Sequence, residues 1–382
     1  MRRVAFVNRY FHPDHSATSQ IASDLAAHLA SRGWEVVAIT SRQRYDEPRA
    51  RLAKRETANG VTIVRVWSTR FGRAGLVGRA IDYLTFYASA FFAMRRERDA
   101  IVVAMTDPPL LSVVAALASR RVVNWVQDLF PEVAEALGIR LPLLKGLRNW
   151  SLRRAKANVV LGELMAARVP KAVVIHNWAD AALAPRTARL QPALPREGRA
   201  EATPYVFTVG YSGNLGRAHD FETIVGAMKR LPDVKFVFTG GGAQLDAVRS
   251  AAPANAEFRA YVAREHLSES LSSVDAHLVS LKPALEGLIV PSKFYGILAV
   301  ARPVIFVGAH DGELARLIEA YRCGVVVEPG DVEGLVRAIE TLAHEREQTA
   351  QMGLRGRELY LHRFAPHHAF AAWERLLGEL AA

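Results

Sequence analysis

Short apolar runs rich in Val, Ile and Ala alternate with longer amphipathic stretches along most of the chain. Short runs of this kind, bounded by polar loops, are typical of buried strands, and the stretches between them have helical spacing. The alternation predicts parallel sheets with helices on both faces. In the first half, the predicted strands are RVAFV, EVVAIT, VTIVRV, AIVVAM, VVNWV, NVVL and AVVI.

A second alternating series follows a proline-containing stretch that has no apolar periodicity and is typical of a linker. Its predicted strands lie in YVFTVGYS, VKFVFT, DAHLVSL, RPVIFVG and CGVVVEPG. We expect ligands to bind in the loops at the carboxyl ends of the strands. The predicted organisation is an N-terminal Rossmann-like domain (1–180), a linker (181–203), a C-terminal Rossmann-like domain (204–364) and a C-terminal helix (365–382) that packs on the N-terminal domain. Helices are expected at 78–98, 109–120, 142–155, 162–168, 331–362 and 366–381.

Composition and charge narrow the class of protein. Half of the 382 residues are hydrophobic, which indicates a globular chain. The single cysteine, Cys323, excludes an internal disulfide and suits a reducing cytosol, and the first apolar run is too short for a signal peptide. Residues 1–200 contain 31 Lys and Arg against 16 Asp and Glu (+15), whereas residues 201–382 contain 18 against 22 (−4). The basic half is expected to face a membrane or nucleic acid, unless the charge only reflects an Arg-rich composition.

The most apolar stretch is YLTFYASAFFAM at residues 83–94. It is shorter than the ~20 residues that a membrane-spanning helix needs. Arg79 precedes it, and Arg95, Arg96 and Arg98 follow it. A helix of this kind can lie in a membrane interface, with Arg at the lipid phosphates and aromatic rings at the acyl boundary. The alternative is an ordinary helix buried against a sheet.

The loop after the first strand, NRYFHPDHSAT, has no glycine and therefore lacks the GxGxxG turn of nicotinamide enzymes. The chain also has no P-loop, no HExxH and no Asp-x-Asp pair to anchor a metal–diphosphate complex. A bound diphosphate would then need backbone amides, helix N-termini and cationic side chains. The second half offers these groups in SGNLGR, TGGG and PSK, which contain Gly213, Asn214, Arg217, Gly241, Ser292 and Lys293.

The PSK segment predicts the start of a helix, with Ser292 as its N-cap and Lys293 in its first turn. A cation at that position opposes the helix dipole unless an anion binds there, which favours a phosphate site. Glu286 lies just upstream, in a loop between Pro283 and Pro291, and is a candidate contact for sugar hydroxyls.

In combination, these motifs resemble glycosyltransferase family 4, in particular its bacterial N-acetyl-L-fucosaminyltransferase-like subgroup of O-antigen and capsule synthesis. The resemblance covers almost the whole chain. It implies a GT-B fold, which is an α/β architecture of two Rossmann-like domains facing across a cleft. It also implies a retaining transferase that needs no metal or other cofactor. The matching strings are YSGNLG, FTGGG, EGLIVPSKFYG and VVVEPGD in the second half, and YFHPDHSATSQ, VQDLFPE and VIHNWAD in the first.

Motif positions in the resemblance place Glu286 at the transferred sugar, Lys293 near the diphosphate and Gly213 in the loop over the phosphates. The second Glu of the family's Glu-x7-Glu motif is missing, and Phe294 or Gly296 stands there, depending on the alignment. Other departures are Asn214 and His219, where the family commonly has Arg and Lys, and Ala301, where the subgroup often has glycine. The remaining implied contacts are Asn214, Arg217, Gly241, Ser292 and Tyr295 on the donor side and Ser16, Thr18, Asp107 and Glu132 on the acceptor side.

Asp128 of QDLFPE lies where the family places acceptor-side residues. It is a candidate for orienting or deprotonating the acceptor, for a nucleophile, or for a simple turn cap. The expected catalytic residues are therefore Asp128, Glu286 and Lys293. The predicted reaction moves a sugar from a UDP-sugar to a polyprenyl-diphosphate-linked saccharide at the inner face of the cytoplasmic membrane, with no nucleic acid involved. The alternatives are a UDP-sugar 2-epimerase of the same fold and a non-catalytic basic protein that binds nucleic acid or membranes.

Overall fold

The computed structural model describes residues 2–45, 47, 49–72, 75–139, 141–180, 183 and 205–382, without the side chains of Leu76 and Pro142. All of the predicted linker except Leu183 lies outside the described residues. Contacts divide the chain into two units. The first contains 1–176, 287–289 and 369–382, and the second contains 177–286 and 290–368. Relative to the sequence-predicted boundaries, 287–289 therefore count with the first unit and 177–180 with the second.

In the described part of the first unit, eight strands form one sheet in the order β3–β4–β2–β1–β5–β6–β7–β8. Every neighbouring pair is parallel except β3 and β4. Its strands are β1 Arg3–Val7, β2 Glu35–Ser41, β3 Arg55–Ala58, β4 Val61–Val66, β5 Ile101–Ala104, β6 Val122–Trp125, β7 Ala157–Val160 and β8 Ala172–Val174. Its helices are α1 Ala17–Ser31, α2 Leu76–Arg96, α3 Leu111–Ala118, α4 Glu132–Ala136, α5 Pro142–Arg154 and α6 Glu163–Ala166.

The sequence pattern did not predict β3, which is a short polar strand at the edge of the sheet. It pairs with β4 through a two-residue turn at Asn59 and Gly60, whose φ values are 51° and 77°. Positive φ at both turn residues is the geometry that the dipeptide Asn-Gly favours in hairpins. That dipeptide was therefore the available signal for β3.

In the second unit, six described strands form a parallel sheet in the order β11–β10–β9–β12–β13–β14. The predicted stretch 331–362 is interrupted at Glu345, so that it forms two helices. The strands are β9 Thr208–Ser212, β10 Lys235–Thr239, β11 Ala256–Arg259, β12 Ala276–Ser280, β13 Val304–Val307 and β14 Gly324–Val327. The helices are α7 Glu222–Met228, α8 Leu245–Ala251, α9 Leu267–Ser272, α10 Lys293–Ala299, α11 Glu313–Tyr321, α12 Val332–His344, α13 Arg346–Leu359 and α14 Pro366–Ala381, most of which belongs to the first unit.

The last helix, α14, packs through Trp373 against Trp125 of β6, with ring centroids 4.8 Å apart. Both indoles are fully buried. Glu374 lies 2.5 Å from His28 of α1, and the Arg121 guanidinium donates to the carbonyl of Leu380. These contacts lie within the first unit. No helix in the part of the chain that the structure describes has both the length and the hydropathy to span a membrane.

Candidate functional site

The two glycine turns of the second unit lie side by side because they follow adjacent strands, β9 and β10. The amide of Gly213 donates to the carbonyl of Thr239 (2.9 Å), and the amide of Leu215 donates to the carbonyl of Gly241 (2.7 Å). A Cβ on Gly240 would lie 2.1 Å from the Gly213 oxygen, and Gly213 itself has a φ of 116°. Only glycine permits this close approach of two backbones.

Lys293 begins α10 and points at the first of these turns. Its Cε lies 3.7 Å from the position that a Cβ on Gly213 would take, and its Nζ is 3.6 Å from the centroid of the Tyr211 ring. The Nζ is buried and has no hydrogen-bond partner among the described residues. Desolvation by burial lowers the pKa of the ammonium to about 7. A buried cation without an anion is unfavourable, so this position is suited to an anionic ligand.

The other predicted phosphate contacts differ in their exposure to solvent and in their hydrogen bonds. Asn214 and Arg217 are both exposed to solvent. Ser292 occupies the N-cap position of α10, but its side chain makes no capping hydrogen bond, so the predicted cap is not formed. Gly241 contributes its carbonyl to the turn through the bond to Leu215. The turns are therefore built by backbone contacts, and their side chains remain available.

His219 does not replace the missing cation of the phosphate loop. Its Nδ1 lies 2.5 Å from the carbonyl of Ser280, and burial, together with the charges of Lys293 and Lys282, lowers its pKa to about 3. The imidazole is therefore neutral at physiological pH and pairs with the backbone. The charged candidates for a diphosphate in this unit are Lys293 and Arg217.

Glu286 lies at the N-terminus of α11. Its Oε2 accepts a hydrogen bond from the amide of Glu313 (3.3 Å), and a Cβ on Gly312 would lie 2.5 Å from its Oε1. Burial raises the pKa of Glu286 to about 7, with a smaller contribution from the charge of Asp311, although the amide bond opposes the shift. The carboxyl group is therefore half-buried, oriented by the backbone and near its titration point at neutral pH.

Phe294, Tyr295 and Gly296 all face the interior of the second unit. Tyr295 is 2% exposed, and its ring packs against Phe364 with centroids 5.1 Å apart. The ring of Tyr295 thus has a packing role, and its donor contact stays a prediction. The two positions where the second Glu could have stood are buried as well. Neither one offers a polar group for a ribose.

Asp128 and Asp107 lie close together in the first unit, on the loops that follow β6 and β5. Asp128 is exposed as a residue. Desolvation of its carboxyl group, together with the negative charge of Asp107, raises the pKa of Asp128 to about 6. Asp128 forms an antiparallel bridge with Ile289, and the Leu129 amide donates to Leu288 (2.8 Å). The segment Gly287–Ile289 thereby holds the backbone of the Asp128 loop.

The other acceptor-side residues have structural partners. Glu132 begins α4 and forms an ion pair with Arg148 of α5. Ser16 directs both its amide and its hydroxyl to the buried carboxylate of Asp14, at 2.8 and 2.5 Å. Thr18 lies partly exposed in the first turn of α1. Of this group, Asp107 is the residue whose charge acts on Asp128 in the described part of the chain.

Sequence reasoning missed Tyr211, whose ring lies under the Lys293 ammonium. The residue belongs to the motif YSGNLG and lies one position before the end of β9. A residue at the carboxyl end of a parallel strand is well placed for a ligand site. Its aromatic character was therefore the available signal, but pairing it with Lys293 required the fold.

The outward face of α2 is apolar along most of its length. Val77, Ile81, Leu84 and Phe92 are 75%, 38%, 65% and 62% exposed. At 100° per residue these positions fall within about 80° of one another. The helix ends in the exposed residues Arg95 and Arg96. The solvent face of a helix in a globular protein is normally polar, so this apolar stripe marks an interaction surface.

In the described portion of the chain, no group of three or more His, Cys, Asp and Glu side chains is arranged to hold a metal ion. The residues that converge on the second-unit turns are instead backbone amides, a lysine and an aromatic ring.

Comparison with known proteins identifies the class. Residues 17–171 match the model of the glycosyl transferase 4-like domain, and residues 206–345 match that of glycosyl transferases group 1. The chain is 29% identical to the probable glycosyltransferase WbjE of Pseudomonas aeruginosa over 69% of its own length and 71% of that protein. It is 24% identical to the putative colanic acid biosynthesis glycosyl transferase WcaI of Escherichia coli over 86% and 89% of the two chains.

Two solved structures show the same fold. Sucrose-phosphate synthase from Thermosynechococcus elongatus superposes with a TM-score of 0.79 at 16% identity, covering 100% of this chain and 99% of that one. Anabaena HepE in complex with UDP and glucose gives a TM-score of 0.69 at 15% identity, with both chains fully covered. The chain belongs to the glycosyltransferases of the GT-B fold, with a glycosyl transferase 4-like domain followed by a group 1 domain.

Proposed function

We propose that this glycosyltransferase acts with retention and moves a sugar from a UDP-sugar to a polyprenyl-diphosphate-linked saccharide in the synthesis of a cell-surface polysaccharide such as O-antigen or capsule. The name of one relative, the putative colanic acid biosynthesis glycosyl transferase WcaI, supports the pathway class. The UDP complex of HepE, a protein of the same fold, supports the choice of nucleotide.

The observation that carries the donor assignment is the buried Lys293 ammonium without a hydrogen-bond partner among the described residues. A diphosphate between the two glycine turns would neutralise the charge of Lys293. It would also interact favourably with the positive end of the α10 dipole. We assign the stabilisation of the leaving group's charge to Lys293 and Arg217 beside the Gly213 turn, without a required metal. Activity that survives EDTA supports this assignment, and full loss that Mg²⁺ restores contradicts it.

Glu286 is proposed to orient the transferred sugar. Because its pKa is near 7, the carboxyl group can donate or accept a hydrogen bond with a sugar hydroxyl. The Glu313 amide donates to its Oε2 and so fixes the orientation of the carboxyl group. Retention is proposed to follow from reaction on one face of the sugar, where the leaving phosphate helps to deprotonate the acceptor.

Asp128 is proposed to orient the acceptor hydroxyl and to share its proton. A carboxyl group with a pKa of about 6 is mostly ionised at neutral pH and is a competent base. Asp107 contributes to that pKa and is therefore assigned a positioning role. The ion pair between Glu132 and Arg148 joins α4 to α5 and thereby supports the loop that carries Asp128.

We propose that the apolar stripe of α2 places the enzyme on the inner face of the cytoplasmic membrane. Exposed apolar side chains would enter the acyl boundary, and Arg95 and Arg96 would meet anionic lipid phosphates. This arrangement would give a soluble domain access to an acceptor that remains in the bilayer.

A thermal-shift screen against UDP, GDP, ADP and their sugars tests the donor first. UDP and one UDP-sugar are expected to raise the melting temperature most. Loss of one charge-assisted contact should cost ~1.5–3 kcal/mol, which is about ten- to a hundredfold in rate for Lys293→Ala. Wild-type turnover by that variant would assign the role to another cation. Conversion of the UDP-sugar without any acceptor would instead identify an epimerase.

A further inference from the structure

The first unit has an open cavity of about 550 Å³ that the residues discussed above do not line. It lies where β2 and β4 end, between the loop that follows each strand. Three arginines line it (Arg42, Arg51 and Arg70), together with the aromatic rings of Trp67 and Phe71. No acidic side chain lines it among the described residues. Its lining therefore combines cationic and aromatic side chains.

The loop that carries Arg70 is held from beneath by the fully buried Asp82 of α2. The carboxylate of Asp82 accepts hydrogen bonds from the Thr69 hydroxyl (2.7 Å) and from the amides of Phe71 and Gly72 (both 3.0 Å). Arg9 completes its partners at 3.2 Å. A buried charge satisfied in this way fixes the loop in one conformation. Arg70 is thus presented by a loop that Asp82 holds in place.

The cavity is continuous with the apolar stripe of α2. Phe71 packs on Gly78, where an added Cβ would come within 2.7 Å of the Phe71 Cβ. Trp67 and Phe71 are 62% and 63% exposed, and Val77 follows at the start of the helix. Arginines beside exposed aromatic and aliphatic side chains suit a ligand in which a phosphate is joined to a lipid chain.

We infer that this cavity binds the diphosphate of the lipid-linked acceptor, with the prenyl chain leaving over Trp67 and Phe71 toward the stripe of α2. The inference rests on the proposed function and adds the acceptor's own site to it. The Nε of Arg42 donates to the carbonyl of Leu52 (2.9 Å). This bond orients the guanidinium group without using its terminal nitrogens. Planar guanidinium groups are the preferred partners of diphosphate oxygens.

The position of the cavity along the sheet also constrains the acceptor. Three to four strand spacings separate β2 and β4 from β6, after which Asp128 lies. At ~4.8 Å per spacing, this separation is about 14–19 Å, which is wider than one sugar ring. An acceptor whose diphosphate lies in the cavity therefore reaches Asp128 through a short saccharide.

The test compares Arg42→Ala/Arg70→Ala with Arg120→Ala/Arg153→Ala, which removes the same charge from exposed positions outside the cavity. Rates are measured in detergent micelles with a polyprenyl-diphosphate-linked saccharide and with the same saccharide on a phosphate-free alkyl chain. For the cavity variant we expect KM for the diphosphate acceptor to rise about tenfold or more, with kcat, donor KM and KM for the phosphate-free acceptor within twofold of wild type. An unchanged KM, or an equal rise for both acceptors, overturns the inference. If the wild type transfers only to other acceptors, the proposed function fails instead.

A binding measurement tests the cavity independently of turnover. Farnesyl diphosphate is titrated onto each protein with UDP present at saturation, so that the donor site is filled. We expect the cavity variant to bind about tenfold more weakly than wild type and the control variant to match wild type. Equal binding by all three proteins overturns the inference. It is also overturned if the cavity variant loses only its affinity for anionic phospholipid vesicles, because the arginines would then hold bilayer headgroups.

Discussion

Lys293→Met is expected to make the protein more stable and less active at the same time. The substitution keeps the length of the side chain and removes the ammonium group. That group is buried over Tyr211, without a hydrogen-bond partner among the described residues. In the absence of a ligand, it therefore destabilises the folded state.

The size of the effect follows from the pKa. A fall from the ordinary 10.5 to about 7 corresponds to an upper value of ~5 kcal/mol. The ring of Tyr211 offsets ~0.5–2 kcal/mol of this through its interaction with the cation, which leaves about 3–4.5 kcal/mol. For a unit of this size, that amounts to a rise in Tm of about 6–18 °C.

The pH dependence has a definite sign. Between about pH 7 and 10.5 the unfolded chain binds a proton at Lys293 that the folded chain has lost. The wild type therefore gains stability with rising pH across that window. The advantage of Lys293→Met should be complete below pH 7 and should disappear above about pH 10.5.

The assay is thermal unfolding at pH 6 of the wild type, Lys293→Met and a control, Lys229→Met, which removes an exposed lysine of the same unit. Each protein is measured with and without saturating UDP. We expect Lys293→Met to have the highest Tm without ligand and the smallest gain from UDP, while the control follows the wild type. A lower Tm for Lys293→Met without ligand, or a gain from UDP equal to that of the wild type, would refute the reasoning.

Three further predictions concern other parts of the molecule. Asp107→Asn removes a charge that raises the pKa of Asp128, so the acid limb of the pH–rate profile should move below pH 6; a limb that stays in place would show that Asp128 is not the titrating base. Leu84→Ser interrupts the apolar stripe and should reduce the fraction of protein that sediments with anionic vesicles, without changing Tm. An unchanged fraction would show that α2 does not contact the membrane. Ala301 has a φ of 56°, so Ala301→Gly should raise stability by about 1 kcal/mol in denaturant titration; a lower midpoint would contradict this strain.

Much of the fold could be predicted because parallel strands covered on both sides must be apolar, and this pattern is visible in the sequence. Runs such as RVAFV and VKFVFT became β1 and β10 nearly as expected. The weakly apolar strand β11 was missed because its pairing depends on neighbours that a single sequence does not show, and β3 was missed although its Asn-Gly turn was visible. Ala301 was predictable in part. The sequence showed an alanine where the subgroup often has glycine, but its left-handed conformation became visible only in the fold.

The candidate site divides in the same way. The sequence by itself determined the class of protein and the chemical types of the donor loops, because the glycine turns and PSK form a specific combination of motifs. Three features became visible in the fold alone. The Lys293 ammonium is desolvated over Tyr211, the Tyr295 ring lies in the core, and the charge of Asp107 raises the pKa of Asp128. Burial and electrostatic fields depend on residues that are distant in the chain. The arginine cavity has the same origin, since Arg42 and Arg70 come together only because β2 and β4 are neighbours in the sheet.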